Sequence, residues 1–322
     1  MPMHHAEKLI LAVLAIGILS GSGTTASAAQ ANLTAHASDQ RQTLVHDGVK
    51  RSYVIHAPAE SAQSKGRVPL VLVLHGGGGN AANAERMTGF SEKADREGFI
   101  VVYPEGTSRF RDKLLTWNAG HCCGYAMLNR VDDTGFIRTL IDTLIKDYPV
   151  DPKRVYVTGM SNGGMMAHRL GRELPDRIAA IAPVVATVFG DEKMPAQTVS
   201  AIMFNGMQDT SVPHAGGSPG GRFTNAWDGT PAKPALDQVT FWSGANGCIP
   251  DVANSTTGQD RGTFLYWKSN CPTGLGVELY LVKDTGHAWP GGQRGSLRGN
   301  DPGLSVKATD IIWSFFQTHP KQ

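Results

Sequence analysis

Short apolar runs alternate with helix-spaced apolar residues along this chain, which predicts strands and helices in turn. Val68–Leu74 reads Val-Pro-Leu-Val-Leu-Val-Leu, the pattern of a strand buried on both faces. Residues 99–103, 155–158, 178–185, 201–205 and 277–282 are further short apolar runs. Between them lie a helix-like stretch, 81–97, and helix-forming segments at 165–174, 235–245 and 308–318. Residues 132–148 place Phe136, Ile137, Leu140, Ile141 and Leu144 at helical spacing. The alternation predicts an α/β chain with a mostly parallel central sheet and helices on both faces. Antiparallel strands are expected at the edges: residues 42–58 carry the hairpin signal Asp47-Gly48, and 263–267 lie near 277–282.

The first residues read differently. Lys8 precedes an apolar run of 11 residues, 9–19, and small residues lead to Ala26-Ser27-Ala28. This predicts a signal peptide over 1–28, removed on export, and a secreted or periplasmic mature protein. The run is shorter than the about 20 residues that span a bilayer, and no other segment is apolar enough, so no membrane span is expected. Residues 29–322 show no linker and are read as a single domain. A net charge of +2 with no basic block argues against nucleic acid as a partner.

Export makes disulfides plausible for Cys122, Cys123, Cys248 and Cys271. Pairing Cys248 with Cys271 would staple a polar insertion of 22 residues. Cys122 and Cys123 are adjacent, so they either form a vicinal bridge or stay reduced. With His121 they make a poor zinc set, because neighbouring thiolates lack the spacing that lets both reach one tetrahedral ion. No metal is expected.

The candidate chemistry starts at Gly159-Met160-Ser161-Asn162-Gly163, where the apolar run 155–158 ends and the helical run 165–174 begins. Strand, sharp turn and helix around Gly-x-Ser-x-Gly present a serine hydroxyl at the end of a sheet, with flanking glycines because the turn leaves no room for Cβ atoms. Gly216-Gly217-Ser218-Pro219-Gly220 matches the same pattern. Pro219 has no N–H to give to an oxyanion, and no strand or helix flanks Ser218, so that segment is a loop. Residues 214–234 as a whole read as a long surface loop.

Asp209 and His287 follow Ser161 in the order acid then histidine, each just past an apolar run. His287 would take and return the serine proton, and Asp209 would orient the imidazole. Asp284, His75, His168 and His214 are weaker candidates by position. His75-Gly76-Gly77-Gly78-Gly79 follows the buried run 68–74. N–H groups of Gly76 or Gly77, with that of Asn162, would hold an oxyanion. The same glycines resemble a dinucleotide fingerprint with Asp95 downstream. Asp95 lies inside a helix-like stretch, which argues against it, and no cofactor is expected. Trp117 and Trp289 lie in loops near these motifs and are candidates to line a substrate pocket. Asp132-Asp133 is read as a helix cap.

These motifs together resemble secreted esterases of the polyhydroxybutyrate depolymerase and feruloyl esterase-like family of α/β-hydrolases. The resemblance rests on residues 154–167, 75–80, Trp117-Asn118-Ala119-Gly120 with Cys122-Cys123-Gly124, residues 132–137 and Gly286-His287-Ala288-Trp289-Pro290-Gly291. It implies an α/β-hydrolase fold, the triad Ser161, Asp209 and His287, and a serine carboxylic ester hydrolase. Such an enzyme would act through an acyl-enzyme on hydroxyalkanoate or feruloyl and other aromatic esters. One departure is Asn205, where the family pattern leads one to expect histidine. No added adsorption domain is expected beyond the closing helix, an expectation that favours small or oligomeric esters over solid polymer. Two other readings are a serine peptidase on the same scaffold and a catalytically silent envelope or carbohydrate-binding protein.

Overall fold

Ten strands form one sheet in a computed structural model that describes residues 39–322, apart from 60, 62, 63, 65 and 250–257. The expected signal peptide, 1–28, lies outside the described residues. Strands β1 (Gln40–His46) and β2 (Val49–His56) make the hairpin at Asp47-Gly48. Both turn residues have positive φ, 49° and 74°, as a two-residue hairpin turn requires. β3 (Val68–Leu74), β4 (Ile100–Pro104), β5 (Val150–Met160), β6 (Ala180–Val184) and β7 (Ser200–Gly206) follow. β8 (Gln259–Asp260), β9 (Phe264–Lys268) and β10 (Val277–Val282) complete the sheet. The spatial order is β1-β2-β4-β3-β5-β6-β7-β10-β9-β8. Every pair from β4 to β10 is parallel, and the pairs outside them are antiparallel.

Alternating side chains divide the core in two. Leu70, Leu72 and Leu74 of β3 join one buried cluster, and Val71 and Val73 join the other. The first is covered by α4 (Asp133–Asp147), α5 (Asn162–Glu173) and α6 (Ala235–Asn246) through Phe136, Leu140, Leu170 and Trp242. The second is covered by α1 (Ala81–Thr88), α2 (Phe90–Glu97) and α7 (Ala308–Thr318) through Met87, Phe90, Trp313 and Phe316. A short helix, α3 (Gly124–Leu128), follows Cys123 and is tied to Thr116, whose Oγ1 accepts the Ala126 N–H at 3.1 Å.

Two elements differ from expectation. The stretch 81–97 is two helices, because Gly89 takes φ 65° and caps the first while starting the second. β5 begins at Val150 rather than 155; its pairing with β3 shifts register between Val68 and Leu70, and an irregularity of that kind accommodates Pro152 inside a strand.

Candidate active site

The parallel strands share one C-terminal edge, and Ser161, Asp209 and His287 all lie just past it, after β5, β7 and β10. Loops at that edge are where open α/β sheets present functional groups. Ser161 has φ 57° and ψ −123°, a conformation that costs energy for a residue with a side chain. It is held by its N–H donating to Val184 O at 2.9 Å. Packing enforces the flanking glycines. A Cβ on Gly163 would stand 2.5 Å from the carbonyl oxygens of Leu74 and His75, and one on Gly159 would stand 2.7 Å from the Gly163 carbonyl.

Three side chains meet there. His287 Nε2 is 2.9 Å from Ser161 Oγ, and His287 Nδ1 is 2.8 Å from Asp209 Oδ2. The Asp209 side chain is 1% exposed. Its other oxygen accepts the N–H groups of Ser211 and Val212 at 2.8 and 2.9 Å. Asp284 instead accepts from Ser305, at 2.8 Å. The loop containing Ser218 pairs Gly217 with Ala232 across an isolated bridge.

The glycine loop closes over the serine turn, and His75 fixes its shape. The N–H of Gly106 donates to His75 Nε2 at 3.0 Å, so the ring proton is on Nδ1, which donates to Gly76 O at 2.8 Å. Gly79 N–H donates to the same oxygen. A trans peptide points its N–H away from its carbonyl, so anchoring Gly76 O turns the Gly77 N–H out of the loop. Among the described residues neither Gly77 N–H nor Asn162 N–H has a protein acceptor. A Cβ on Gly77 would lie 3.6 Å from Asn162 Cβ, so the two free donors are neighbours. Gly76 lies beside Ser161 itself, its would-be Cβ 3.6 Å from Ser161 Cβ.

Both tryptophans are fully buried and offer no surface to a substrate, which corrects the expectation for both. Trp117 is fully buried, its Nε1–H donating to His75 O at 3.0 Å and its ring lying 5.0 Å from that of His75. Trp289 is fully buried on the other side of the sheet, edge-on to Phe90, and donates to Thr309 Oγ1. Each tethers a loop that carries or faces the site. The sequence reading also missed the Asn162 side chain. Its Oδ1 accepts Trp117 N–H at 2.7 Å and its Nδ2 donates to Trp117 O at 3.0 Å, which ties the serine turn to the Trp117 loop. The adjacency of Asn162 to Ser161 was the only hint.

Cys122 is bonded to Cys123 and Cys248 to Cys271. His121 faces Asp228 and Asp191 at 2.7 and 2.9 Å. Asp132 caps α4 by accepting the Gly135 N–H, while Asp133 pairs with Arg51 in the core at 2.7 Å. Asn205 donates to Ala186 O and accepts from Gln238, in a buried network that reaches His168 and Trp242.

Burial pushes His75 down to about 4 and His168 down to about 3. Both titrate near 6.5 in an unfolded chain, so between these values the unfolded chain binds more protons. The stability contributed by keeping them neutral is complete above about pH 6.5 and is lost as pH falls towards the folded values. The urea midpoint of the wild type relative to that of His168→Gln should therefore fall between about pH 7 and pH 5, a difference that cancels His56 and His121, whose pKa values are raised and act in the opposite sense. A slope unchanged by the substitution would remove His168 as a cause.

A family model described as esterase PHB depolymerase matches residues 51–216. A protein named as an esterase, NocK, of Nocardia uniformis subsp. tsuyamanensis is 33% identical over 80% of this chain and 76% of its own. Feruloyl esterase B of Piromyces equi is 29% identical over 76% of this chain, which spans 44% of that longer protein. Among solved structures, acetyl xylan esterase from Aspergillus awamori superposes with a TM-score of 0.59 at 16% identity. That match covers 87% of this chain and 99% of the other, and at that identity it speaks for the fold.

Proposed function

The chain belongs to the esterase PHB depolymerase family of α/β-hydrolases and is a carboxylic ester hydrolase, and from that premise we propose that it is an exported serine esterase working through an acyl-enzyme. The observation that carries the mechanism is the continuous line from Asp209 Oδ2 through both nitrogens of His287 to Ser161 Oγ. Ser161 Oγ attacks the ester carbonyl carbon while His287 Nε2 takes its proton. The carbonyl oxygen gains the electron pair and is held by the N–H groups of Gly77 and Asn162. Each such donor typically contributes about 10²–10³ in rate. Collapse breaks the bond to the alcohol, which leaves with the proton from His287. Water then repeats the steps and frees the acid. Asp209 stabilises the imidazolium and keeps the Nδ1 proton in place.

Hydroxyalkanoate and feruloyl or other aromatic esters are the substrate classes this reading takes from the family and its relatives. Export rests on the segment 1–28 and on the two cystine bonds, which suit an oxidising compartment. Residues 29–322 act in this reading as one catalytic domain.

Partitioning tests the acyl-enzyme. Phenyl butyrate and p-nitrophenyl butyrate, hydrolysed in water containing methanol, should give the same ratio of methyl butyrate to butyric acid. A ratio that depends on the leaving group would show that no common acyl-enzyme forms.

A further inference from the structure

Away from the catalytic edge, three metal-ligating side chains meet at one point: Asp39 just before β1, His56 at the end of β2 and Glu85 in α1. One ligand atom of each lies within 4.8 Å of the other two. His56 pairs with Val101 near the start of β4, so the cluster sits at the N-terminal edge of the parallel strands, opposite the edge that carries Ser161, Asp209 and His287. His56 is 6% exposed, while the Asp39 side chain is half-exposed and leaves an approach from solvent. Positions 39, 56 and 85 share no metal-binding spacing, so only the fold reveals them as a set. The expectation of no metal rested on the cysteines and does not bear on it.

Two of the three ligands are already aimed. His56 Nδ1 lies 2.9 Å from Asp39 Oδ1, and its other nitrogen, Nε2, lies 2.8 Å from Asp95 Oδ1 in α2. A carboxylate on the far nitrogen of a ligand histidine places the ring proton there and leaves the near nitrogen for a metal. Glu85 Oε1 accepts from Ser91 Oγ at 2.5 Å, and Ser91 Oγ in turn accepts from the buried Tyr103 hydroxyl at 2.9 Å. One imidazole thus faces three carboxylates, and among the described residues no lysine or arginine pairs with Asp39, Glu85 or Asp95. The cluster has negative charge to spare, which a divalent cation would neutralise. Opening the contact between Asp39 and His56 to roughly 3.3 Å, the edge of a tetrahedron with bonds of about 2.0 Å, makes room for the ion.

We propose that Asp39, His56 and Glu85 bind one zinc ion, with water as the fourth ligand, in a structural site that clasps the β1–β2 hairpin to α1. A borderline-soft ion is favoured because one ligand is an imidazole nitrogen, whereas calcium and magnesium take oxygen ligands. The site takes no part in ester hydrolysis and does not depend on the esterase reading. His46, Asp47 and Asp132 form a second such group, but both acids are exposed and the far nitrogen of His46 faces Thr139 Oγ1 rather than a carboxylate.

Protein stripped with EDTA and dialysed should take up one zinc ion per chain in a calorimetric titration. Zinc at about 100-fold above its dissociation constant should raise the thermal midpoint by roughly 5–10 °C, and calcium or magnesium at the same concentration by less than about 1 °C. The rise is read within each protein, with and without zinc, which cancels any change in baseline stability. His56→Gln should abolish it. Asp95→Asn should weaken zinc binding by about 10–100-fold, and Glu85→Gln by at least as much. Both conserve the shape of side chains that are not fully buried, so they report on the site if His56→Gln does not fold. No zinc uptake, an equal rise with calcium, or a rise that survives His56→Gln would overturn the site. Wild-type zinc affinity in both Asp95→Asn and Glu85→Gln would do the same, and loss of the rise in His46→Gln or His287→Gln instead would place the ion elsewhere.

Discussion

Ser161→Ala should cut p-nitrophenyl butyrate turnover by about 10⁴-fold or more while the protein stays folded. The hydroxyl is the atom that forms the acyl bond, and removing a triad nucleophile in a serine hydrolase costs up to about 10⁶ in kcat. Background catalysis from the oxyanion donors persists, because Gly77 and Asn162 contribute backbone groups that the substitution does not touch. The fold should be indifferent to the change. Ser161 Oγ makes its side-chain bond to His287, and the strained turn is held by Val184 O and by the glycine contacts. Thermal midpoints of the two proteins should agree within a few degrees. Activity within tenfold of wild type would remove Ser161 as the nucleophile.

Asp209→Asn should lower kcat by about 10⁴, for a reason of proton position rather than shape. The carboxylate accepts three hydrogen bonds, from Ser211 N–H, Val212 N–H and His287 Nδ1–H. An asparagine oxygen can keep the two backbone donors, but its NH₂ then faces His287 Nδ1. That moves the ring proton to Nε2, which would donate to Ser161 Oγ instead of accepting from it. Asp284→Asn is the contrast, since Asp284 accepts from Ser305 while His287 Nδ1 is paired with Asp209. Its kcat should stay within about twofold of wild type. Equal losses in the two variants would contradict the assignment of Asp209.

Much of this was legible in the sequence because it is local. Unbroken apolar runs mark strands covered on both faces, and the order Ser161, Asp209, His287 at strand ends follows from where those runs stop. What the sequence hid depends on contacts between distant segments. The tryptophans near the motifs read as pocket walls, yet Trp117 packs under His75 and Trp289 packs against Phe90. Both are wide apolar rings, and burial claims them before ligand binding does. The tautomer of His75 depends on Gly106, which is 31 residues away in sequence. The anchor from Asn162 to Trp117 spans 45 residues. No periodicity signals either bond. The hairpin at 107–116 carries neither a strand pattern nor an Asn-Gly turn, and its positive φ values fall on Arg111 and Leu114, residues that give no turn signal.

Ser161 as carrier of the acyl group is tested by mass spectrometry of the protein treated with a fluorophosphonate. One phosphonyl group should be added per chain, tandem fragmentation should place it on Ser161, and loss of esterase activity should follow its stoichiometry. Labelling at Ser218 or another residue in step with inactivation, or full activity in protein labelled at Ser161, would contradict it.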